Sequence, residues 1–443
     1  MKPISILITL LCSVFVLNAQ KTDEDLVKTL KEAATSQLLD KWYPLVIDKE
    51  DGGYYSDITY DFKLGENQQK MIVTQARHMW VNAIAAMENP GKKETYLENA
   101  KHGFDFIKNK MWDQENGGFH TLVTKQGEPI SREGEKKTAY GNSFAIYGLA
   151  TYYKASQNSE ALTLAQETFY WLERHSHDPK HKGYFQSLEL DGTPIARTSD
   201  FPSTSDIGYK DQNSSIHLLE AFTALYEVWP NELLKKRLHE LLVLIRDTIT
   251  TDDGYMKLFF EADWTPVSFK NTSKENIKKH YYLEHVSFGH DVETAYLMLE
   301  ASHALGLEND ITLKTGKKMV DHALKNGFDN KVGGFYDGGY YFNDEQDIQI
   351  VNENKNWWSQ AEGLNALLMM SQHFPQDEMN YRKHFETLWE YTENYIIDQD
   401  HGGWYEWGID KRPEAKTALK GQIWKSTYHN YRALVNCIHM LEE

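Results

Sequence analysis

"NGGFHTLVTKQGEPIS", residues Asn116–Ser131, opens on two glycines and an aromatic and runs on as a polar, strand-prone stretch. Glycine reaches backbone conformations closed to other residues, so the pair marks a tight turn and the aromatic begins a short strand. Two helical segments follow. "YGNSFAIYGLATYYKAS" (Tyr140–Ser156) is apolar on all sides, the pattern of a buried helix. "ALTLAQETFYWLERHSHD" (Ala161–Asp178) keeps Leu162, Ala165, Phe169 and Leu172 on one face, the pattern of a helix half in water.

The unit recurs. The turn reappears as "DGGYY" at Asp51, "HKGYF" at His181, "DDGYM" at Asp252, "VGGFY" at Val332 and "HGGWY" at His401, at spacings of roughly 65 to 80 residues. One buried and one amphipathic helix per unit imply an inner ring of helices inside an outer ring. Six such pairs close into an all-α (α/α)6 toroid, or barrel, with short β-hairpins between the helices of each repeat. The competing architecture is an open α-solenoid; six units of this length favour closure. No Pro/Ser-rich linker interrupts the pattern, so residues 21–443 are expected to form one domain.

The chain is 41% hydrophobic and 25% charged, an ordinary soluble composition. Met1-Lys2 followed by "ISILITLLCSVFVLNAQ" reads as a secretory signal over residues 1–20, too short for a comfortable membrane span. The expected product is exported, periplasmic or secreted; lipoprotein attachment at Cys12 is disfavoured because Leu11 stands where a small residue is needed. With Cys12 removed, Cys437 is alone and no internal disulfide can form. A net charge of -18 argues against nucleic acid and anionic membranes as partners. Aromatic residues at 13% suit either a bulky core or a cleft that stacks on sugar rings. The oligomeric state stays open, a monomer being favoured.

A closed toroid surrounds one central pocket with the starts of its inner helices. "SFGHDVETAYLMLEA" (Ser287–Ala301) shows what stands there: a helix greasy all round that begins with His290, Asp291 and Glu293. Acids cap helix N-termini, which accounts for Asp291 but not for His290. The other starts are "VTQARHMW", "KTAYGNSF", "QNSSIHLLEAF", "NWWSQAEGL" and "WKSTYHNYRA". They add Arg77, Tyr140, Asn142, Asn213, His217, Trp357, Trp358, Gln360, Glu362, Trp424 and His429 to the candidates for the pocket wall. Three histidines, His217, His290 and His429, fall at one phase of the repeat, whereas His175, His177 and His181 cluster in a polar loop and read as solvated surface.

Several chemistries fit these residue types. His290 and Glu293 could chelate a metal, but no HExxH, paired cysteines or third ligand at matching spacing supports one. Glu293 and Glu362 could flank a glycosidic bond as a hydrolase or lyase would require. Neutral imidazoles suit moving a proton on and off carbon near pH 7.

"FGHDVE", "NWWSQAEG", "WKSTYHNYRA" and the run from "HLLEAFTALYEVWP" to "GYMKLFFEADWTPV" resemble the N-acylglucosamine 2-epimerase superfamily, within it the cellobiose 2-epimerase branch. The likeness spans nearly all of the chain after the signal. It implies an (α/α)6 fold and a sugar 2-epimerase needing neither metal nor nucleotide cofactor, with a small carbohydrate as its partner. By that resemblance His290 and His429 match the acid/base pair at C2, Glu293 the carboxylate beside the first of them, and His217 with Asn213 the residues of ring opening. Arg77 matches the arginine near the C1 and C2 oxygens, Tyr140 a ring-contacting tyrosine, and Trp358 and Trp424 the aromatic platforms. The implied reaction opens the sugar, removes the C2 proton to give a cis-enediolate held by Arg77, and returns a proton to the opposite face. Protonation at C1 instead would make an aldose–ketose isomerase of mannose type, and the same residues serve both.

Overall fold

A computed structural model describes residues 22–130, 137–195, 197–198, 207–307, 310–343, 345 and 347–443. The signal over residues 1–20, with Cys12, lies outside the described residues. Twelve helices carry the architecture. They are α1 (Asp23–Glu32), α2 (Ile72–Glu88), α3 (Lys93–Phe106), α4 (Ala139–Ser156), α5 (Ser159–His175) and α6 (Gln212–Val228). The second half supplies α7 (Glu232–Leu244), α8 (Phe288–Ala304), α9 (Asp310–Gly327), α10 (Trp357–His373), α11 (Tyr381–Tyr391) and α12 (Tyr428–Glu442). No helix among the described residues is long and apolar enough to cross a membrane.

The even-numbered helices form the inner ring: α2 packs on α4, α4 on α6, α6 on α8, α8 on α10, α10 on α12, and α12 returns to α2. Each odd-numbered helix lies outside, and α1 closes the outer layer by packing against α12 at the far end of the chain. Sequence dictates the division. Every residue of α8 from Asp291 to Leu299 is buried, whereas α5 hides only one stripe, including Leu164, Ala165, Thr168, Phe169 and Leu172.

The glycine turns are rigid anchors, held by groups that the periodicity did not single out. In the second repeat Trp112 bridges Phe119, and the Asp113 carboxylate accepts the backbone N–H groups of Glu115 and Asn116. The buried Lys137 ammonium donates to Asp113 at 2.7 Å and to the Gly117 carbonyl. Gly118 has φ +71°, and a Cβ there would stand 2.7 Å from the Trp171 ring, so no other residue fits without strain. The ion pair recurs as Lys70–Asp48, Lys210–Asp178, Lys355–Asp329 and Lys420–Asp398. In the fourth repeat the turn is one residue shorter, Thr250 bridging Met256, with Thr251 and Val286 where the others carry Asp and Lys.

Short hairpins form within repeats, as bridges Val123–Pro129, Leu188–Pro194 and Phe260–Pro266 show, and further strand pairs run between repeats. Lys70–Met71 pairs with Leu122–Val123, Lys137–Thr138 with Ser187–Leu188, and Lys210–Asp211 with Phe259–Phe260. Each pair joins one repeat to the next, and bridges Val286–Gly339, Asn356–Trp407 and Ile58–Gly421 continue the belt round to the first repeat. Hairpins within a repeat also occur, at Arg197–Thr198 with Ile207–Gly208 and at Gly338–Tyr340 with Gln349–Asn352.

Candidate active site

At the N-terminal ends of the inner helices the ring encloses a cavity of about 280 Å³. Its wall contains Arg77, Tyr140, Asn213, His217, His290, Glu293, Trp357, Trp358, Trp424 and His429. Caps fix where these helices start and so aim their first turns inward: Thr138 accepts the Gly141 N–H, Asp211 that of Ser214, and Asn356 that of Ser359.

Three predicted wall residues sit elsewhere. Asn142 accepts the Phe119 N–H and donates to the Thr138 carbonyl. Gln360 accepts the Phe335 N–H and donates to the Phe335 carbonyl. Both are fully buried, one position in the repeat serving to pin the glycine turn to its helix, as Gln75 does for Tyr54. Glu362 is buried beneath the cavity, not in its wall. His177 departs from the solvated surface expected of it: its side chain is 4% exposed and pairs with Glu240 at 2.9 Å.

The three histidines of the inner-helix starts each have Nδ1 engaged from behind. His217 Nδ1 lies 2.9 Å from Glu220 and His429 Nδ1 2.8 Å from Glu362, whereas His290 Nδ1 lies 2.7 Å from the Ser287 hydroxyl. An ionised carboxylate can only accept, so His217 and His429 carry hydrogen on Nδ1 and keep the Nε2 lone pair free. Burial holds His290 and His429 well below the usual imidazole range and depresses His217 as well, so all three are neutral near pH 7.

Behind the imidazoles stands Arg432, which donates to Glu220, to Glu293 at 2.7 Å and lies 2.8 Å from Glu362. Burial pushes Glu220 up, but Arg432 and the His217 hydrogen bond overcome it and hold this carboxyl at about 2. Burial and the adjacent Glu362 push Glu293 up to about 8 against the pull of Arg432, and burial raises Glu362 too. Glu293 therefore holds a proton near neutrality, while Glu362 turns its oxygen to Arg432 and the His429 N–H. Glu293 thus faces Arg432 and lies 3.9 Å from His429 Nδ1, while the hydrogen-bond partner of His290 is Ser287. Glu293, Glu362 and His429 converge closely enough to ligate a metal ion, but the Arg432 guanidinium bonded to both carboxylates already holds the place of a cation.

Opposite this cluster, Arg77 donates to the Trp424 carbonyl at 2.9 Å and to the Tyr140 hydroxyl at 3.2 Å, and lies over the Phe144 ring. A guanidinium fixed in this way offers permanent positive charge to an oxyanion. Trp358 stands between two imidazoles, its ring 4.5 Å from that of His290 and 5.9 Å from that of His429. Trp424 is 43% exposed at the mouth.

Several wall residues escaped the sequence reading, among them Tyr281, Tyr282, His285, Ser287 and Asp337. A signal existed for the tyrosines: the fourth turn is followed by the longest interval, and the extra chain carries the short helix Lys274–Lys279 and then Tyr281 and Tyr282. Arg432 and Glu220 were legible too, each three residues after a cavity histidine as Glu293 is after His290.

A closed helical toroid with neutral imidazoles and a fixed guanidinium round one polar and aromatic cavity defines a class, the sugar-converting toroids that move protons. The chain belongs to the N-acylglucosamine 2-epimerase (GlcNAc 2-epimerase) family, whose model matches residues 53–433. It is a carbohydrate epimerase acting at C2. It is 30% identical to a cellobiose 2-epimerase of Ruminococcus albus over 93% of this chain and 98% of that one. The structure of cellobiose 2-epimerase from Spirochaeta thermophila superposes with a TM-score of 0.80 at 27% identity, covering 95% of this chain and 97% of the other. A D-mannose isomerase of Marinomonas mediterranea is more distant, at 24% identity over 94% and 98% of the two chains.

Proposed function

We propose that the protein interconverts the glucose and mannose configurations at C2 of the reducing end of a β-1,4-linked disaccharide of cellobiose or mannobiose type. The observation that carries this reading is the pair His290 and His429 in one wall, both neutral and both touching Trp358. Ring opening exposes the C1 aldehyde and acidifies the C2 hydrogen. One imidazole takes that proton and later releases it to solvent, Arg77 holds the enediolate oxygens, and the second imidazole takes up a proton from solvent and returns it to the other face. Names of the similar proteins support the disaccharide, and the aromatic mouth supports a second sugar ring. Incubation with reducing disaccharides and monosaccharides should give a product of unchanged mass, epimeric at C2, from the disaccharides first. A ketose would favour the isomerase reading, and cleavage a hydrolase. The segment Met1–Gln20 supports export, which fractionation of the native host would test.

Depressed imidazole pKa values fix the sign of the pH dependence. Protonating a required base needs a pH below its folded pKa, so the acid limb of kcat/KM should fall below the ordinary histidine value of about 6.5. A limb at or above that value would mean the bases are charged near neutrality.

Trp424, exposed at the mouth and donating no group to the imidazoles, should bind without steering chemistry. Trp424→Ala is expected to raise KM about tenfold with kcat little changed, read from initial rates. Trp358→Ala should lower kcat as well, because its ring packs on His290 and His429.

A further inference from the structure

Ser287 occupies the N-cap position of α8, where a serine ordinarily accepts a hydrogen bond from the helix's own first-turn N–H groups. Its side chain makes no such bond. The hydroxyl turns instead to His290 Nδ1, 2.7 Å away, and both residues line the cavity. His217 and His429 are held at the same nitrogen by carboxylates. Among the described inner helices, α8 alone turns its N-cap side chain to an imidazole.

We infer that Ser287 is a positioning residue that sets where the proton sits on His290. The inference rests on the proposed function, in which His290 exchanges a proton with carbon. The carboxylates behind His217 and His429 demand hydrogen on Nδ1; a serine hydroxyl does not. It has one hydrogen to give, and among the described residues its side chain has no hydrogen-bond partner but His290 Nδ1. With no carboxylate to demand hydrogen on Nδ1 and no other acceptor for the hydroxyl among the described residues, in the proposed arrangement Ser287 donates to Nδ1, which places the hydrogen of neutral His290 on Nε2, the nitrogen left for the cavity. The pair of imidazoles is then asymmetric at rest: His429 offers a lone pair and His290 an N–H. For His290 to act as the base, its ring exchanges with water, losing the Nε2 proton and taking one on Nδ1, and the hydroxyl rotates to accept from Nδ1–H without any backbone movement, so one residue serves both directions of a reversible reaction. No carboxylate could do this while ionised.

The experiment pairs nitrogen-15 NMR of histidine-labelled resting enzyme with steady-state kinetics of Ser287→Ala and Ser287→Thr. In the wild type His290 Nδ1 should resonate as an unprotonated nitrogen and Nε2 as a protonated one, with His429 the reverse. Ser287→Ala should mix the His290 tautomers and lower kcat about tenfold or more with KM nearly unchanged; Ser287→Thr, which keeps the hydroxyl, should restore both. Wild-type His290 protonated on Nδ1 would overturn the inference, as would unchanged tautomers in Ser287→Ala. Equal losses in Ala and Thr with no spectral change would reduce Ser287 to a packing residue. The NMR reading is independent of turnover: if His290→Ala kept full activity the proposed mechanism would fall, while the spectra would still decide what Ser287 does to the ring.

Discussion

His429→Ala should lose activity by about 10²–10⁴-fold in kcat, the range expected when a general acid/base is removed, and His290→Ala should do the same. Each imidazole is neutral and tied at Nδ1, so no neighbour stands ready to take over its nitrogen. The isotope outcome is sharper than the rate. In D2O the wild-type product should carry deuterium at C2, because a proton passed through an imidazole exchanges with solvent. A single variant keeps one base, and should still wash deuterium into one epimer while failing to invert it. Deuterium at C1 with a ketose product would move the assignment to isomerisation. Full activity in both variants would sink the mechanism and shift attention to Glu293 and Glu362.

Arg432→Met should be the most damaging change to stability. It leaves Glu220, Glu293 and Glu362 buried against one another with no cation, and removing one partner of a buried charge cluster costs about 3–5 kcal/mol. Urea unfolding should show it as a lowered midpoint with unchanged slope. Glu362→Gln in the same chain should recover part of the loss, since it removes one of the charges left behind. An unaltered midpoint in Arg432→Met would mean the three carboxyls are already neutral in the native state. Lysine is a poor substitute at this site, because a point charge cannot reach three carboxylates from one position.

The two outcomes are linked by geometry. Glu220 and Glu362 each spend one oxygen on a histidine and engage Arg432, so the cation that neutralises the cluster also fixes the imidazole tautomers. Catalytic geometry and core electrostatics share these side chains.

The repeat of glycine turns, the alternation of greasy and amphipathic helices, and the polar residues at the inner-helix starts were all written in the chain. Periodicity carries that information because each repeat must bury its own helix faces, and a buried face shows itself locally in residue type. The same locality placed His217, His290 and His429 at one end of the ring. What lay beyond it was the direction of each side chain. Asn142, Gln360 and His290 are all polar groups in the first turns of inner helices, yet two bond the glycine turns and the third faces the cavity. Their difference is a rotation about the helix axis relative to a neighbouring repeat, which no single segment encodes. The pairing of strands between repeats, the gathering of Glu220, Glu293 and Glu362 on Arg432, and the turning of Glu293 towards Arg432 and His429 likewise depend on closure of the ring. Residues as far apart as Glu220 and Arg432 meet because α6 and α12 both face one axis, and low dielectric there makes their charges answer to each other rather than to water.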